Sequence, residues 1–268
     1  MQSDASATPA IVASPATWNS AETKNEIPSP PQSRCEPFSH ISPGLVIAFG
    51  KSIDAKPHRH TLWQLCLPTL SAELNGQPFD KAKVIPPDQS HQLQMEQGWI
   101  ILAEPESRVG AAISQLPTEF AGQPNRTLGG LYHALAAQPE LVNALKQQGY
   151  TISDSRIRKL QAQLDSCLSG HCLKPDKWRA KEIADWLALS ESRFLHLARE
   201  QLGIAWRPYL LWRRLLCAVR AIKNGANTTQ AAHLAGFSDA AHLSRTLKRT
   251  FGMTSSELLA SFTLNKNK

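Results

Sequence analysis

Two groupings of side chains in this 268-residue sequence carry lone pairs or donors at spacings that chemistry can use. In the first, His58 and His60 stand two apart in "PHRHTLWQ", and His91 follows in "VIPPDQSHQL". Residues two apart on a strand share a face, so the three imidazoles can converge. Neutral imidazoles suit zinc, nickel or iron. In the second, "GFSDAAHLSRTLKRTFGMTSSEL" (236–258) sets an apolar stripe of Leu243, Leu247 and Phe251 against His242, Ser244, Arg245, Lys248 and Arg249. Such a face suits base edges and phosphates of double-stranded DNA. Its alternative is a solvated basic helix.

The elements that must position these groups differ along the chain. Residues 1 to about 34 are rich in Ala, Ser and Pro and are expected to form a disordered tail. From Leu45 to Leu102 short apolar runs ("LVIAFG", "TLWQLCLPTL", "AKVIPP", "HQLQM", "WIILA") are broken by turn residues, which predicts a compact all-β unit. Pro68 and the Pro86-Pro87 pair belong at strand ends, since proline donates nothing to a ladder. Beyond residue 110 the period becomes helical: two short helices break near Pro139, and Ile157, Leu160, Leu164 and Leu168 form one helical face.

Charge is unevenly spread. From residue 170 onward there are 16 Lys and Arg against 7 Asp and Glu, whereas the first 169 residues hold 13 against 15. A basic C-terminal third on a slightly acidic body points to a polyanion-binding module joined to another unit. Five scattered cysteines without a secretory signal imply reduced thiols and a cytoplasmic protein. Cys167, His171 and Cys172 lie close together but lack a fourth ligand for zinc. No lipidation signal or membrane-length apolar run is present, so a membrane is not among the expected partners. Nor is there a phosphate loop, nucleophile elbow or paired-acid motif, so an enzyme is not expected.

The basic region repeats one plan. In "RAKEIADWLALSESRFLHLAREQLG", Ile183, Ala184 and Leu187 form a short apolar face, Ala188-Leu189 a turn, and Ser190 a cap for a helix with Phe194, Leu197 and Ala198 inward. In "TTQAAHLAGFSDAAHLSRTLKRTFG", Ala231, Ala232 and Ala235 take the first role, Gly236-Phe237 the turn and Ser238 the cap. Each is a helix-turn-helix plan. Between them, "RPYLLWRRLLCAVRAIKNG" offers a rod with Pro208 at its first position, Gly225 beyond its end, and an apolar row of Tyr209, Trp212, Leu216 and Val219.

The run from Trp178 to Leu258 resembles the DNA-binding domain of AraC/XylS-type bacterial transcription regulators, most closely through "GFSDAAHLSRTLKRTFGMTSSEL". Ala188 departs from a frequent glycine, which would cost about 1–2 kcal/mol if that position is left-handed. Ser255 departs from a usual proline at the start of the last helix. The outward faces hold Ser192, Arg193, Leu195, His196 and Arg199 in one unit, and Asp239, Ala240, Ala241, His242, Ser244, Arg245, Lys248 and Arg249 in the other. The resemblance implies that positions 192, 195, 196, 240, 241, 244 and 245 approach base edges. Lys248 and Arg249 are assigned to phosphates. His233 is expected to be a packing or surface residue.

The histidine runs look like a degenerate cupin pattern, with Gln64 in place of the acid and Asp88 in place of the glycine before His91. His58, His60, Gln64 and His91 are therefore candidates for ligand binding, and the three histidines for a metal. The lost carboxylate argues against catalysis, and a remnant with internally hydrogen-bonded histidines is the other reading. No cofactor is otherwise expected. The implied architecture is multidomain: a disordered tail (1–40), a small all-β cupin-like effector or dimerisation barrel (41–107), a helical linker (108–170), and an all-α AraC-type domain (171–268) of two helix-turn-helix units joined by a long helix. The expected function is sequence-specific regulation of transcription through adjacent major grooves. Expected partners are DNA, a small-molecule effector, a second copy of the chain, and RNA polymerase where the protein activates. A metal-binding cupin enzyme fused to a DNA-binding domain, and a sequence-blind DNA binder, are the competing readings.

Overall fold

The computed structural model describes residues 38–169 and 178–262. The expected tail therefore lies almost wholly outside the described residues. So do Cys35, His171 and Cys172, and the side chains of Cys167 and Leu168.

The N-terminal half is an antiparallel sheet of β1 (Ser39–Ser42), β2 (Leu45–His58), β3 (Trp63–Pro68), β4 (Ala72–Leu74), β5 (Gln77–Pro78), β6 (Ala82–Ile85), β7 (His91–Ala103) and β8 (Glu119–Phe120). The order is β1-β2-β7-β3-β6-β8, and among the described residues no pairing joins β1 to β8. Pro68 ends β3, and Pro86-Pro87 follows β6, as the missing amide hydrogens require. "HQLQM" and "WIILA", which the glycine between them suggested were separate strands, are one strand. Gly98 stays in register opposite Gly50. A Cβ at 98 would stand 2.6 Å from the Leu67 carbonyl oxygen, so close backbone approach, not a turn, accounts for this glycine.

Both faces of the sheet are covered. Leu45, Ile47, Leu65, Trp99 and Ile101 pack on α1 (Arg108–Ser114), α2 (Leu128–Ala134) and α3 (Pro139–Gln147). Ile53, Ala55, Cys66, Leu93, Met95 and Ile100 face the C-terminal helices instead. Residues 108–170, read from sequence as a helical linker, thus divide between two cores. Helices α1–α3 belong with the sheet, while α4 (Ser155–Ser169) buries Ile157, Leu160 and Leu164 with the helices that follow.

Those helices are α5 (Ala180–Trp186), α6 (Glu191–Leu202), α7 (Trp206–Lys223), α8 (Thr228–Leu234), α9 (Ala240–Phe251) and α10 (Ser255–Phe262). The 18 residues of α7 extend about 27 Å. One end of α7 joins α5 and α6 around Phe194, Leu197, Trp206 and Tyr209. The other joins α8 and α9 around Leu215, Ile222, Phe237, Leu243 and Leu247. Pro208 sits at the third helical position, not the first. Its missing N–H costs nothing there, because amides of the first turn have no intrahelical partner.

Candidate functional site

The two short-helix pairs carry opposite chemistry on their two faces. In α6, Phe194, Leu197 and Ala198 are buried, and Ser192, Arg193, Leu195, His196 and Arg199 are all exposed. Ser190 caps the helix, its hydroxyl accepting from the Arg193 amide at 3.2 Å. In α9, Leu243 and Leu247 are buried, Ala241, Arg245, Lys248 and Arg249 are exposed, and Ala240, His242 and Ser244 are half-buried.

The cap of α9 differs from expectation. Asp239, not Ser238, is the N-cap, accepting from the His242 amide at 2.6 Å. That hydrogen bond holds the Asp239 carboxyl below its usual range. A carboxylate at a helix N-terminus also meets the positive end of the macrodipole, which favours it over a hydroxyl. Ser238 bonds to Asp239 and to the His242 ring instead.

The turns show why residue type matters locally. Ala188 and Gly236 occupy equivalent places, and both are left-handed, with φ of 53° and 76°. Glycine does this without penalty; alanine carries the strain anticipated for it. The second turn is further fastened from α7. Arg214 donates to the carbonyls of Ala235 and Gly236, and its guanidinium lies 4.5 Å over the Phe237 ring. The last helix forms without a proline because Thr254 and Glu257 cap it reciprocally. Ser255 turns inward instead, 3.3 Å from the Ser244 hydroxyl.

Residues 183–261 match a family described as a helix-turn-helix domain. This segment is an AraC-type helix-turn-helix domain. No curated protein matches the chain. Among solved structures, a ToxT from Vibrio cholerae is similar at 11% identity and a TM-score of 0.47, over 84% of this chain and 98% of that one. ToxT bound to an unsaturated fatty acid gives 11% identity and 0.45 over 85% and 99%, and an apo ToxT variant 12% and 0.46 over 82% and 98%. The architecture is an antiparallel sheet domain followed by a helical region carrying the AraC-type domain. No helix among the described residues is long and apolar enough to cross a membrane.

The AraC-type domain is fastened to the sheet by a buried polar cluster that sequence reasoning missed. Glu104, fully buried after β7, accepts from Trp212 Nε1 at 2.7 Å, Tyr209 Oη at 3.2 Å and Arg213 Nη2 at 3.0 Å. Arg213 also donates to Asp165 of α4 at 2.8 Å and to the hydroxyls of Tyr150 and Tyr209. Burial opposes the guanidinium charge, but Glu104 and its neighbours keep it protonated. Burial, then the Glu104 charge, pushes the Glu106 carboxyl well up. The sequence signal was an arginine four residues after Tyr209 on the apolar side of α7.

A small cavity of about 100 Å³ lies where the AraC-type domain meets the sheet. Ile53, Leu93 and Ile100 line one side, and Trp212, Leu216 and Phe251 the other. Its polar margin is Ser39, His58 and Gln64.

His58, His60 and His91 are brought together as anticipated. They are buried, with one ring nitrogen of each within 4.8 Å of the others. Burial lowers all three, His58 and His60 to about 4, so the rings are neutral near pH 7. Gln64 bonds to His60 at 2.7 Å and donates to Cys66. Burial pushes the Cys66 thiol up to about 12, so it stays protonated.

Proposed function

We propose that the chain is a cytoplasmic, sequence-specific DNA-binding regulator of transcription, with one helix-turn-helix unit in each of two adjacent major grooves. The observation that carries this reading is a pair of capped helices, α6 and α9, each with a buried apolar side and an exposed donor side, at opposite ends of one rigid helix. Successive grooves on one face of B-DNA lie about 34 Å apart. A 27 Å rod plus the width of its end units matches that spacing. Ser192, Arg193, Leu195, His196 and Arg199 face one groove, and Ala240, Ala241, His242, Ser244 and Arg245 the other. Lys248 and Arg249 hold phosphates.

Regulation would act on the second unit, because α9 and α10 rest on the sheet while α6 does not. A small apolar effector is the class that the cavity's lining favours. At 100 Å³ the cavity is below the roughly 300–1,000 Å³ of typical ligand sites, so an effector must lever the second unit away from β2. Presentation of the two recognition helices would change accordingly. A second copy of the chain, and RNA polymerase where the protein activates, complete the partners in this reading.

Binding to genomic fragments selected by footprinting tests the assignment. Arg245→Ala should cost about 1–3 kcal/mol on the selected site and relax its preference. Lys248→Ala should weaken selected and random DNA comparably. Equal losses on both DNAs for both variants would refute base reading.

A further inference from the structure

Two residues beyond Glu104, Glu106 is 3% exposed, and neither of its carboxyl oxygens has a hydrogen-bond partner among the described residues. A buried polar group without a partner costs free energy, and a buried carboxylate costs far more. The polar cluster beside it has no donor to spare. Arg213 commits Nε to Glu104 and Tyr209, Nη1 to Asp165, and Nη2 to Glu104, Tyr150 and Tyr209. The single hydroxyl hydrogen of Tyr209 serves Gln161 at 2.7 Å or Glu104 at 3.2 Å. Three carboxyl groups, Glu104, Glu106 and Asp165, thus surround one guanidinium.

The other charged groups nearby are engaged elsewhere. Arg108 of α1 donates to Gln147, Arg158 of α4 donates to the Ile152 and Ser153 carbonyls, and Arg156 pairs with Asp154. Burial raises Asp165 as well, but Arg213 and Tyr150 both donate to it. Burial holds the Tyr150 and Tyr209 hydroxyls well above their usual range, so neither titrates near neutral pH.

The backbone keeps Glu106 in place. The Glu104 carbonyl accepts from the Ser107 amide at 3.0 Å and its hydroxyl at 2.6 Å, and a Cβ at Gly110 would stand 2.0 Å from that oxygen. The Glu106 carbonyl accepts from the Thr151 amide at 2.8 Å and its hydroxyl at 2.9 Å. This pinned loop also meets the first helix-turn-helix unit. A Cβ at Gly203, the C-cap of α6, would stand 3.0 Å from Pro105 Cβ. Gln201 of α6 accepts from the Ser153 and Asp154 amides at 2.9 Å.

We propose that Glu106 is a proton switch that seats the first helix-turn-helix unit against the sheet domain. Protonated, its carboxyl donates to Glu104 and supplies the hydrogen that two carboxylates lack. The cluster then holds α4 and α7 to the end of β7. When the proton leaves to solvent, the two carboxylates repel, Glu106 competes for Arg213, and the hold on α7 and α6 loosens. Burial and Glu104 both raise this carboxyl in the fold. Its contribution to stability is therefore complete below the unfolded value of about 4.3 and is lost as pH rises towards the folded one. An effect on DNA affinity rests on the regulator reading; the switch itself does not.

Infrared spectroscopy of the unmodified full chain at neutral pH tests the proton directly. We expect the carbonyl stretch of a protonated carboxyl, lost in urea and in Glu106→Gln. Urea unfolding of both proteins tests the coupling. The glutamine amide is neutral and can donate to Glu104. The ratio of unfolding constants, wild type over Glu106→Gln, should therefore climb about tenfold per pH unit from about pH 5, levelling where Glu106 ionises in the fold. A merely structural side chain would leave that ratio constant. Hydrogen exchange at α6 amides should quicken in the wild type relative to the variant as pH rises, with β2 amides alike in both. Absence of the carboxyl band overturns the protonated state, whether or not the variant folds. A constant ratio overturns the switch, and α6 exchange that does not differ overturns its link to the first unit. Failure of the wild type to select a DNA site at any pH would count against the regulator reading alone.

Discussion

Replacing Arg213 by Met tests whether the polar cluster is what holds the AraC-type domain to the sheet. Methionine has a similar length and fits an apolar setting, so packing loss is small. What it removes is the charge opposite Glu104, whose side chain is fully buried. Removing one partner of a buried ion pair typically costs about 3–5 kcal/mol. Trp212 and Tyr209 still donate to Glu104, so the lower end, about 3 kcal/mol, is expected. That lowers the folded population ratio by more than 100-fold, or roughly two decades. Glu104→Gln should cost less, about 1–2 kcal/mol, because Arg213 keeps Asp165 and two hydroxyls. The double variant should fall short of the summed losses by at least about 1 kcal/mol, since neither stranded charge remains. Urea unfolding followed by tryptophan fluorescence, with far-ultraviolet dichroism as a check on two-state behaviour, measures all three. Additive losses, or an Arg213→Met cost below about 0.5 kcal/mol, would refute this account.

Ala188→Gly should relieve the left-handed strain and stabilise the first unit by up to about 1 kcal/mol, after glycine's own entropy cost, read as a higher unfolding midpoint. Gly236→Ala should do the reverse in the second unit, by about 1–2 kcal/mol. Arg214→Met should cost about 1.5–3 kcal/mol and weaken cognate DNA binding without touching DNA, because it releases the turn before α9. His40 is lowered to about 4 by burial, then by Lys223 and Arg220. Its neutral form is favoured in the fold, so its contribution is complete above about pH 6.5, where the unfolded ring is also neutral, and fades towards pH 4. His40→Gln should flatten stability over that window, measured by urea midpoints at successive pH values.

Much of the AraC-type domain was legible because its signals are local. The steps between Phe194, Leu197 and Ala198, the hydroxyl of Ser190 and the glycine at 236 each act within a few residues. Even the strain at Ala188 could be anticipated from its place in the turn. The errors were also local. Ser238 and Asp239 both make good caps, and only the backbone at 239 decides between them. Gly98 resembles a strand break until its partner Gly50 is known. The histidine grouping was visible, but the tautomers of His58 and His91 depend on the carbonyls of Lys56 and Gln89 that face their Nδ1 atoms.

By itself the sequence determined the helix-turn-helix pairs, the rod between them, their exposed basic faces and the meeting of three histidines. Short-range periodicity, capping and strand alternation settle those features. Tertiary structure alone decided that residues 108–170 serve two cores, that Arg213 spans to Glu104, and that His58 lies beneath the end of α9. Glu104 and Arg213 are 109 positions apart in the chain. No local propensity encodes that pairing. It arises when both faces of the sheet must be covered, and burial then forces each charge to find its partner.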